Sequence, residues 1–268
     1  MRADLRGSAS AVTLAANAAA PKFSNIQTIS LLHRTMTTGG KLIAIEGIDG
    51  SGKRTQVELL KDALGARGHQ TFVTGFPIYD SWFGKMVGEF LDGEFGPLEE
   101  VDPHFTALLY AGDRFEAKGQ IVEALAAGKI VLADRYIGSN MAHQTARVAA
   151  AERAEFVKWI EHLEYQIYGL PRESAVTYLR VPPAEAQKLV ALKSARGYTA
   201  STHDLLERNL RHLEDAAAMY DELAKRENWI YVECFDLQEQ AMRAPQEIAA
   251  EILTAVEAVL VVKHGGKS

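Results

Sequence analysis

The sequence contains only one cysteine among its 268 residues, which limits the chemistry open to the chain. Cys234 has no second cysteine to pair with, so we expect no internal disulfide. Because it lies in a predicted strand, we interpret it as a small buried hydrophobic residue rather than a reactive thiol. Neither a C-x-x-C nor an H-E-x-x-H spacing occurs, so a structural zinc site is not expected.

Long apolar runs and an excess of positive charge are also missing. No stretch approaches the roughly 20 uninterrupted apolar residues that a membrane-spanning helix requires. The formal net charge is −6, whereas a nucleic-acid surface needs clustered lysine and arginine. We therefore expect no membrane and no nucleic acid as a partner. A small anionic ligand is still compatible with this charge, since a few local arginines suffice to bind it.

The length and the 47% hydrophobic content suit one large α/β domain, which we place at residues 40–264. Residues 1–39 differ, because they are rich in alanine and serine and carry four basic residues against the single acid Asp4. Two interpretations are open. The segment resembles an organelle transit peptide, or Met36 is the true start and the upstream residues are untranslated or disordered. We favour the second, and with it a cytoplasmic protein rather than an organellar one.

Apolar strands alternate with helices along the rest of the chain, which predicts a doubly wound sheet of five parallel strands. An unbroken apolar run such as 130–133 is typical of a strand buried on both faces of such a sheet. The predicted strands cover 42–45, 71–74, 130–133, 175–179 and 229–234. The predicted helices cover 55–67, 82–92, 104–127 (one or two helices), 151–165, 204–226 and 245–260, with another opening at Val181-Pro182-Pro183.

Residues 47–55 read Gly-Ile-Asp-Gly-Ser-Gly-Lys-Arg-Thr and connect the first strand to the first helix, the layout of a phosphate-binding loop. The glycines let the backbone turn several N–H groups and a helix N-terminus toward one phosphate, while Lys53 reaches the outer phosphates. We predict that the loop binds ATP. The residues concerned are Gly47, Ile48, Asp49, Gly50, Ser51, Gly52, Lys53, Arg54 and Thr55.

The loop departs from the strict motif at Arg54, where a serine or threonine normally holds Mg²⁺. Asp49, inside the loop, offers a hard oxygen ligand that could hold the ion directly or through water. It could instead accept a hydrogen bond from an acceptor nucleotide, or simply form a turn that caps the helix. We predict Asp49 as a metal ligand.

Two Asp-Arg pairs complete the charged features. Asp134-Arg135 ends a buried strand, where open α/β sheets bind ligands, so Arg135 is a candidate phosphate clamp. Arg114 lies on a predicted helix with Tyr110 one turn earlier on the same face. Tyr110 and Arg114 could grip a base and a phosphate together. Alternatively, the second pair, Asp113-Arg114, is a surface ion pair over a packed tyrosine.

Four motifs in this order resemble thymidylate kinases over most of 41–235. They are Glu46-Gly-Ile-Asp-Gly-Ser-Gly-Lys53, Phe76-Pro-Ile-Tyr79, Leu108-Leu-Tyr-Ala-Gly-Asp-Arg114 and Asp134-Arg-Tyr-Ile-Gly-Ser139. Some bacterial members of the family also carry Lys-Arg-Thr. The resemblance implies a P-loop NTPase fold of three α/β/α layers with a short lid at about 192–203. It further implies transfer of the γ-phosphoryl group of ATP to dTMP, giving dTDP, with Mg²⁺, in a homodimer.

The resemblance also implies residue roles. Tyr110 would stack on thymine, Arg114 and Asn140 would contact the base, and Arg135 would contact the acceptor phosphate. His143 falls where the family often has an aromatic near the 2′ side of the ribose, which leaves the discrimination of deoxyribose open. The predicted substrate site comprises Phe76, Tyr79, Tyr110, Arg114, Arg135, Ser139, Asn140 and His143.

Phosphoryl transfer demands alignment and positive charge around the migrating group. We predict Lys53, Asp49 and Arg135 as catalytic residues, together with Arg196 from the lid, where Lys193 is the alternative. Glu207 would support the metal ion, although it is equally consistent with a surface helix charge. The competing functions are a nucleotide kinase with another acceptor and a catalytically silent nucleotide sensor.

Overall fold

A parallel sheet of five strands, in the order β2-β3-β1-β4-β5, forms the framework of the fold. The computed structural model describes residues 39–194 and 210–261. The strands are β1 Lys41–Glu46, β2 Thr71–Gly75, β3 Ile130–Asp134, β4 Ala175–Arg180 and β5 Trp229–Glu233. Central strand β1 pairs in parallel with both β3 and β4. The predicted five-stranded parallel sheet is therefore confirmed.

Helices cover both faces of the sheet and give three α/β/α layers, as predicted. Among the described residues they are α1 Lys53–Ala66, α2 Trp82–Leu91, α3 Pro103–Ala126, α4 Ile137–Thr145, α5 Arg153–Glu161, α6 Pro183–Ser194, α7 Leu210–Leu223 and α8 Pro245–Val261. A π-helical segment, His162–Ile167, continues α5. Helices α1 and α8 pack together, whereas α4 packs against α3, α5 and α7. None of the described helices is long and apolar enough to cross a membrane.

The core lies where the central strands are covered on both faces. Leu42 and Ile43 of β1 and Val131 and Leu132 of β3 are at most 1% exposed. Each such side chain contributes roughly 1.5–3 kcal/mol when it is fully buried. Because consecutive residues point to opposite faces, a strand buried on both faces is apolar at every position. Cys234 follows β5 directly and is also fully buried, as expected of a small hydrophobic residue.

Three elements differ from the sequence prediction. The helix predicted over 151–165 becomes π-helical after Glu161. The hairpin of β6 Phe235–Asp236 and β7 Ala241–Met242 was missed because two-residue strands have no readable alternation. Helix α4 was missed because every residue in it is buried, including polar ones, so it shows no contrast between an apolar and a polar face.

Several predictions fall outside the described residues. These are residues 1–38 of the N-terminal extension, the beginning of the helix predicted at 204, and the two candidate site residues Arg196 and Glu207. The lid was predicted to begin at 192, but residues 192–194 still belong to helix α6.

Candidate active site

The phosphate-binding loop runs from the end of β1 to the start of α1, at the carboxyl edge of the sheet. Gly50 has φ 85°, and a Cβ there would lie 2.2 Å from the carbonyl oxygen of Ala186. Only glycine fits this close approach. Helix α1 begins at Lys53, at the end of the loop. The first N–H groups of a helix have no partner within the helix, so this end of α1 can bind an anion.

Lys53 is held across the loop. Its Nζ donates to the carbonyl oxygens of Gly47 at 3.0 Å and Ile48 at 2.9 Å. Burial, followed by the positive charge of Arg135, lowers the pKa of Lys53 to about 8. These two backbone contacts, together with an ion pair to Asp49 Oδ1 at 4.0 Å, hold the ammonium group on the loop.

Arg135 connects the loop to the end of β3. It has φ 66°, a left-handed conformation that residues other than glycine adopt mainly at functional sites. Its Nη1 donates to Gly47 O and to Ser139 Oγ, both at 3.1 Å, and its Nη2 pairs with Asp49. Although burial alone would raise the pKa of Asp49, the charges of Arg135 and Lys53 hold it well below its usual value. Asp49 is therefore an ionised carboxylate between two cations.

Glu46, the last residue of β1, organises the start of helix α4. Its Oε1 accepts from the backbone N–H groups of Tyr136 at 2.7 Å and Ser139 at 3.0 Å. Its Oε2 accepts from the hydroxyls of Ser139 at 2.6 Å and Tyr220 at 3.0 Å. A fully buried carboxylate at a helix N-terminus stabilises that end of the helix, and here it fixes the position of Ser139 beside Arg135.

A cavity of 120 Å³ opens beside the loop, and all eight predicted substrate residues line it. Asp49 and Arg135 lie on its wall together with aromatic residues of the Phe76–Tyr79 segment and with Tyr110. The cavity thus combines a cationic region near the phosphate loop with an aromatic region farther along. This combination suits a nucleotide that carries a phosphate at one end and a flat base at the other.

Arg114 and Asn140, predicted to contact the base, share one buried carboxylate. Arg114 is 1% exposed, and its Nε and Nη2 donate to the two oxygens of Glu164 at 2.6 and 2.7 Å. Asn140 Nδ2 donates to Glu164 Oε1 at 2.7 Å and to Ala107 O at 3.0 Å. Arg114 thus pairs with Glu164 in the interior and takes part in no surface ion pair with Asp113.

Asp113 does not pair with Arg114 but holds the Phe76–Ser81 segment against α3. Its Oδ2 accepts from the backbone N–H of Ile78 at 3.0 Å, and its Oδ1 accepts from the hydroxyl of Ser81 at 2.7 Å. The aromatic wall of the cavity is therefore fixed to the same helix that carries Tyr110 and Arg114.

His143 lies between Arg135 and His212. Because arginine can only donate, the contact of Arg135 Nη1 with His143 Nε2 at 3.4 Å makes that nitrogen an acceptor. The proton of His143 is then on Nδ1, which donates to His212 Nε2 at 3.3 Å. Burial and the charge of Arg135 lower the pKa of His143 well below its usual value, and burial followed by the charge of Arg147 lowers that of His212 to about 4. Both rings are neutral at pH 7.

The loop suits a magnesium ion that takes most of its ligands from a nucleotide. Arg54 and Thr55 are exposed. Within residues 39–194 and 210–261, no group of three or more His, Cys, Asp or Glu side chains could form a protein metal cage. Mg²⁺ usually binds through one or two carboxylates plus phosphate oxygens and water. The ionised Asp49 supplies such a carboxylate, so the residues fit the ion.

Four supporting residues escaped the sequence prediction of the site, namely Glu46, Glu164, His212 and Tyr220. Glu46 could have been found, because a carboxylate at the end of an apolar strand is unusual. Glu164 lies 50 residues from Arg114, and His212 lies 69 residues from His143, so no local pattern signals either pair.

A phosphate-binding loop beside a cavity lined by arginines and aromatic side chains is the arrangement of a nucleotide kinase of the P-loop class. Residues 45–244 match the family model described as Thymidylate kinase, and the chain belongs to this family. The thymidylate kinase of Mycobacterium tuberculosis is 33% identical over 184 residues, which cover 68% of this chain and 85% of that protein. The human thymidylate kinase is 31% identical over 149 residues, 56% of this chain and 65% of the human protein.

The fold is also similar to that of a thymidylate kinase. A solved structure of the thymidylate kinase from Candida albicans superposes with a TM-score of 0.60 at 19% identity, covering 82% of this chain and 92% of that one. At this identity the likeness supports the fold alone.

Proposed function

We propose that the 120 Å³ cavity is the acceptor site at which this member of the thymidylate kinase family binds dTMP, with ATP on the adjoining loop. The chain transfers the γ-phosphoryl group of ATP to dTMP, giving dTDP and ADP for nucleotide biosynthesis. Arg135 contacts the acceptor phosphate and Lys53 the outer phosphates of ATP. Positive charge then surrounds the migrating group, which is the main demand of phosphoryl transfer.

The orientation of the Asn140 amide carries this proposal. Both hydrogens of Nδ2 are used by carbonyl and carboxylate oxygens, so the Oδ1 atom is fixed on the other side. That buried oxygen has no partner among the described residues, and Asn140 lines the cavity. The edge of thymine presents an N3–H donor beside the O4 acceptor. Asn140 Oδ1 suits the donor, and the guanidinium of Arg114 suits the acceptor.

Mg²⁺ neutralises charge on the phosphates when it is bound. We propose Asp49 as its ligand, directly or through water, because the carboxylate is ionised and lies on the loop. The roles proposed for Arg196 as a lid residue and for Glu207 as a second support of the metal rest on the family resemblance.

We further propose a homodimer in the cytoplasm. The exposed apolar side chains of Phe105, Leu108 and Phe115 on one face of α3 support the dimer. The two substrates belong to intracellular nucleotide metabolism, which supports the location, and an organelle is the alternative if residues 1–35 are a transit peptide.

Asn140→Ala tests the acceptor site, assayed by ADP release with dTMP, dUMP, UMP, CMP and AMP. We expect the parent to prefer dTMP and the variant to raise KM for dTMP at least tenfold, with KM for ATP unchanged. Asn228→Ala, in the turn before β5, is the matched control and should behave like the parent. An unchanged KM for dTMP in the Asn140 variant would place the base elsewhere.

A further inference from the structure

We propose that Glu164 is a positioning residue that sets the base specificity of the acceptor site through Arg114 and Asn140. This inference rests on the acceptor site proposed above and deepens it. Glu164 does not line the cavity, and it acts only through the two side chains that do.

The first step concerns Arg114. Glu164 binds the guanidinium along one edge, through Nε and Nη2. Nη1 has no hydrogen-bond partner within the described residues, and Arg114 lines the cavity. A planar guanidinium held by two bonds on one edge cannot rotate, so its remaining donors keep one direction. Glu164 thereby fixes where a hydrogen-bond donor stands in the cavity.

The second step concerns Asn140. An amide side chain can reverse its oxygen and nitrogen, and the two orientations present opposite hydrogen-bond characters to a ligand. The carboxylate of Glu164 has only acceptor oxygens, as has the carbonyl of Ala107. Both therefore demand the Nδ2 group, and Oδ1 has to face the other way. Glu164 thereby contributes to fixing an acceptor next to the donor of Arg114.

The third step concerns burial. Arg114 and Glu164 are 1% and 0% exposed, and removing two charges from water costs more than an ordinary contact returns. Glu164 also lies in the π-helical segment His162–Ile167, and such widened turns occur frequently at functional sites. A buried ion pair is weak evidence for stability, whereas its geometric constraint suits the placing of a donor and an acceptor side by side.

The specificity follows from this pattern. Thymine offers an N3–H donor and an O4 acceptor, which match the fixed acceptor and donor. Cytosine offers an unprotonated N3 and an N4 amino group, so both contacts become repulsive. A site that leaves buried polar groups unpaired rejects the wrong ligand strongly. A Glu164 side chain that no longer holds Arg114 and Asn140 in place should therefore weaken the discrimination between dTMP and dCMP. The binding of ATP should not change.

The test uses Glu164→Asp, because Glu164→Gln would leave the buried charge of Arg114 unpaired and endanger the fold. Aspartate keeps the charge but is one methylene shorter, so it cannot hold both partners in place. We expect KM for dTMP to rise about tenfold and the preference for dTMP over dCMP to fall at least tenfold. KM for ATP should stay close to that of the parent and kcat within about twofold. The variant should remain folded, with a melting temperature only modestly below that of the parent, because the buried charge pair is kept.

Glu161→Asp is the matched control. Glu161 is the last residue of α5, directly before the π-helical segment, and it pairs with Arg226 outside the cavity. It should leave every parameter unchanged. A folded Glu164→Asp variant with unchanged dTMP affinity and unchanged preference would overturn the inference, and so would a loss confined to kcat. The acceptor site itself is tested separately by Asn140→Ala. An effect of that variant without one of Glu164→Asp therefore refutes the positioning role alone.

Discussion

Individual buried charges shape the candidate site of this molecule. Lys53 and Arg135 were predictable from the sequence because each belongs to a local pattern, a glycine loop or a charged strand end. The partner of Arg114 was not predictable. The carboxylate that holds Arg114 lies 50 residues away in sequence, and only the folded chain brings the two together. Roles that depend on local backbone geometry are thus visible in a sequence, whereas roles that depend on distant pairing are not.

Glu173 should make stability depend on pH. Its side chain is buried, two residues before the start of β4, and accepts a hydrogen bond from the hydroxyl of Tyr165 at 2.6 Å. Burial raises the pKa of Glu173 from 4.5 to about 7. Between these two values the folded state binds more protons than the unfolded state. The stabilisation is therefore fully present below pH 4.5 and is lost as pH rises through about 7. The loss is on the order of 3 kcal/mol.

Glu173→Gln removes this ionisation and preserves an acceptor for Tyr165. We expect the variant to match the parent at pH 5 and to exceed its free energy of unfolding at pH 8, as measured by urea denaturation. Glu123→Gln, at an exposed position on α3, is the control and should follow the parent at both pH values. Equal stability of the Glu173 variant and the parent at pH 8 would contradict the prediction.

At the scale of elements, helix α3 combines several tasks. Its periodicity predicted the helix, and the spacing of Tyr110 and Arg114 predicted that both share one face. The attachment of the Phe76–Ser81 segment by Asp113 was not predicted, because a backbone N–H as a partner leaves no trace in the sequence. Helix α4 was missed for a related reason. Its polar side chains are buried, and several of them form hydrogen bonds with partners far away in the sequence. A pattern of apolar and polar residues cannot reveal such partners.

Asp113→Ala should loosen the aromatic wall of the cavity. The backbone N–H of Ile78 and the hydroxyl of Ser81 lose their acceptor, which costs about 2 kcal/mol of stability. Because Phe76 and Tyr79 lie in this segment, KM for dTMP should rise about tenfold while KM for ATP stays unchanged. Glu116→Ala is a suitable control. That exposed carboxylate accepts from Phe83 N–H at 2.9 Å, and neither residue lines the cavity. Equal increases in both KM values would show a general loss of structure instead.

At the scale of the whole molecule, the alternation of strands and helices was sufficient to predict the parallel sheet and its two helix layers. Short connections and buried apolar strands leave few other arrangements. The surface was less predictable, because an apolar helix face looks the same in a sequence whether the sheet or a second chain covers it. Phe105, Leu108 and Phe115 show the difference. They lie on one face of α3 and are 42%, 37% and 47% exposed.

This apolar face of α3 should join two copies of the chain. A contiguous exposed apolar patch marks an interaction surface, and helix faces of this kind form isologous dimers with twofold symmetry. We expect the parent to be a dimer at micromolar concentration in light scattering coupled to size-exclusion chromatography. Leu108→Glu, which places a charge in the centre of the face, should shift it to a folded monomer. Leu237→Glu introduces the same charge at a more exposed apolar residue, in the β6–β7 connection, and should leave the dimer intact. A parent that elutes as a monomer, or a Leu108 variant that stays dimeric, would assign the exposed side chains of α3 another role.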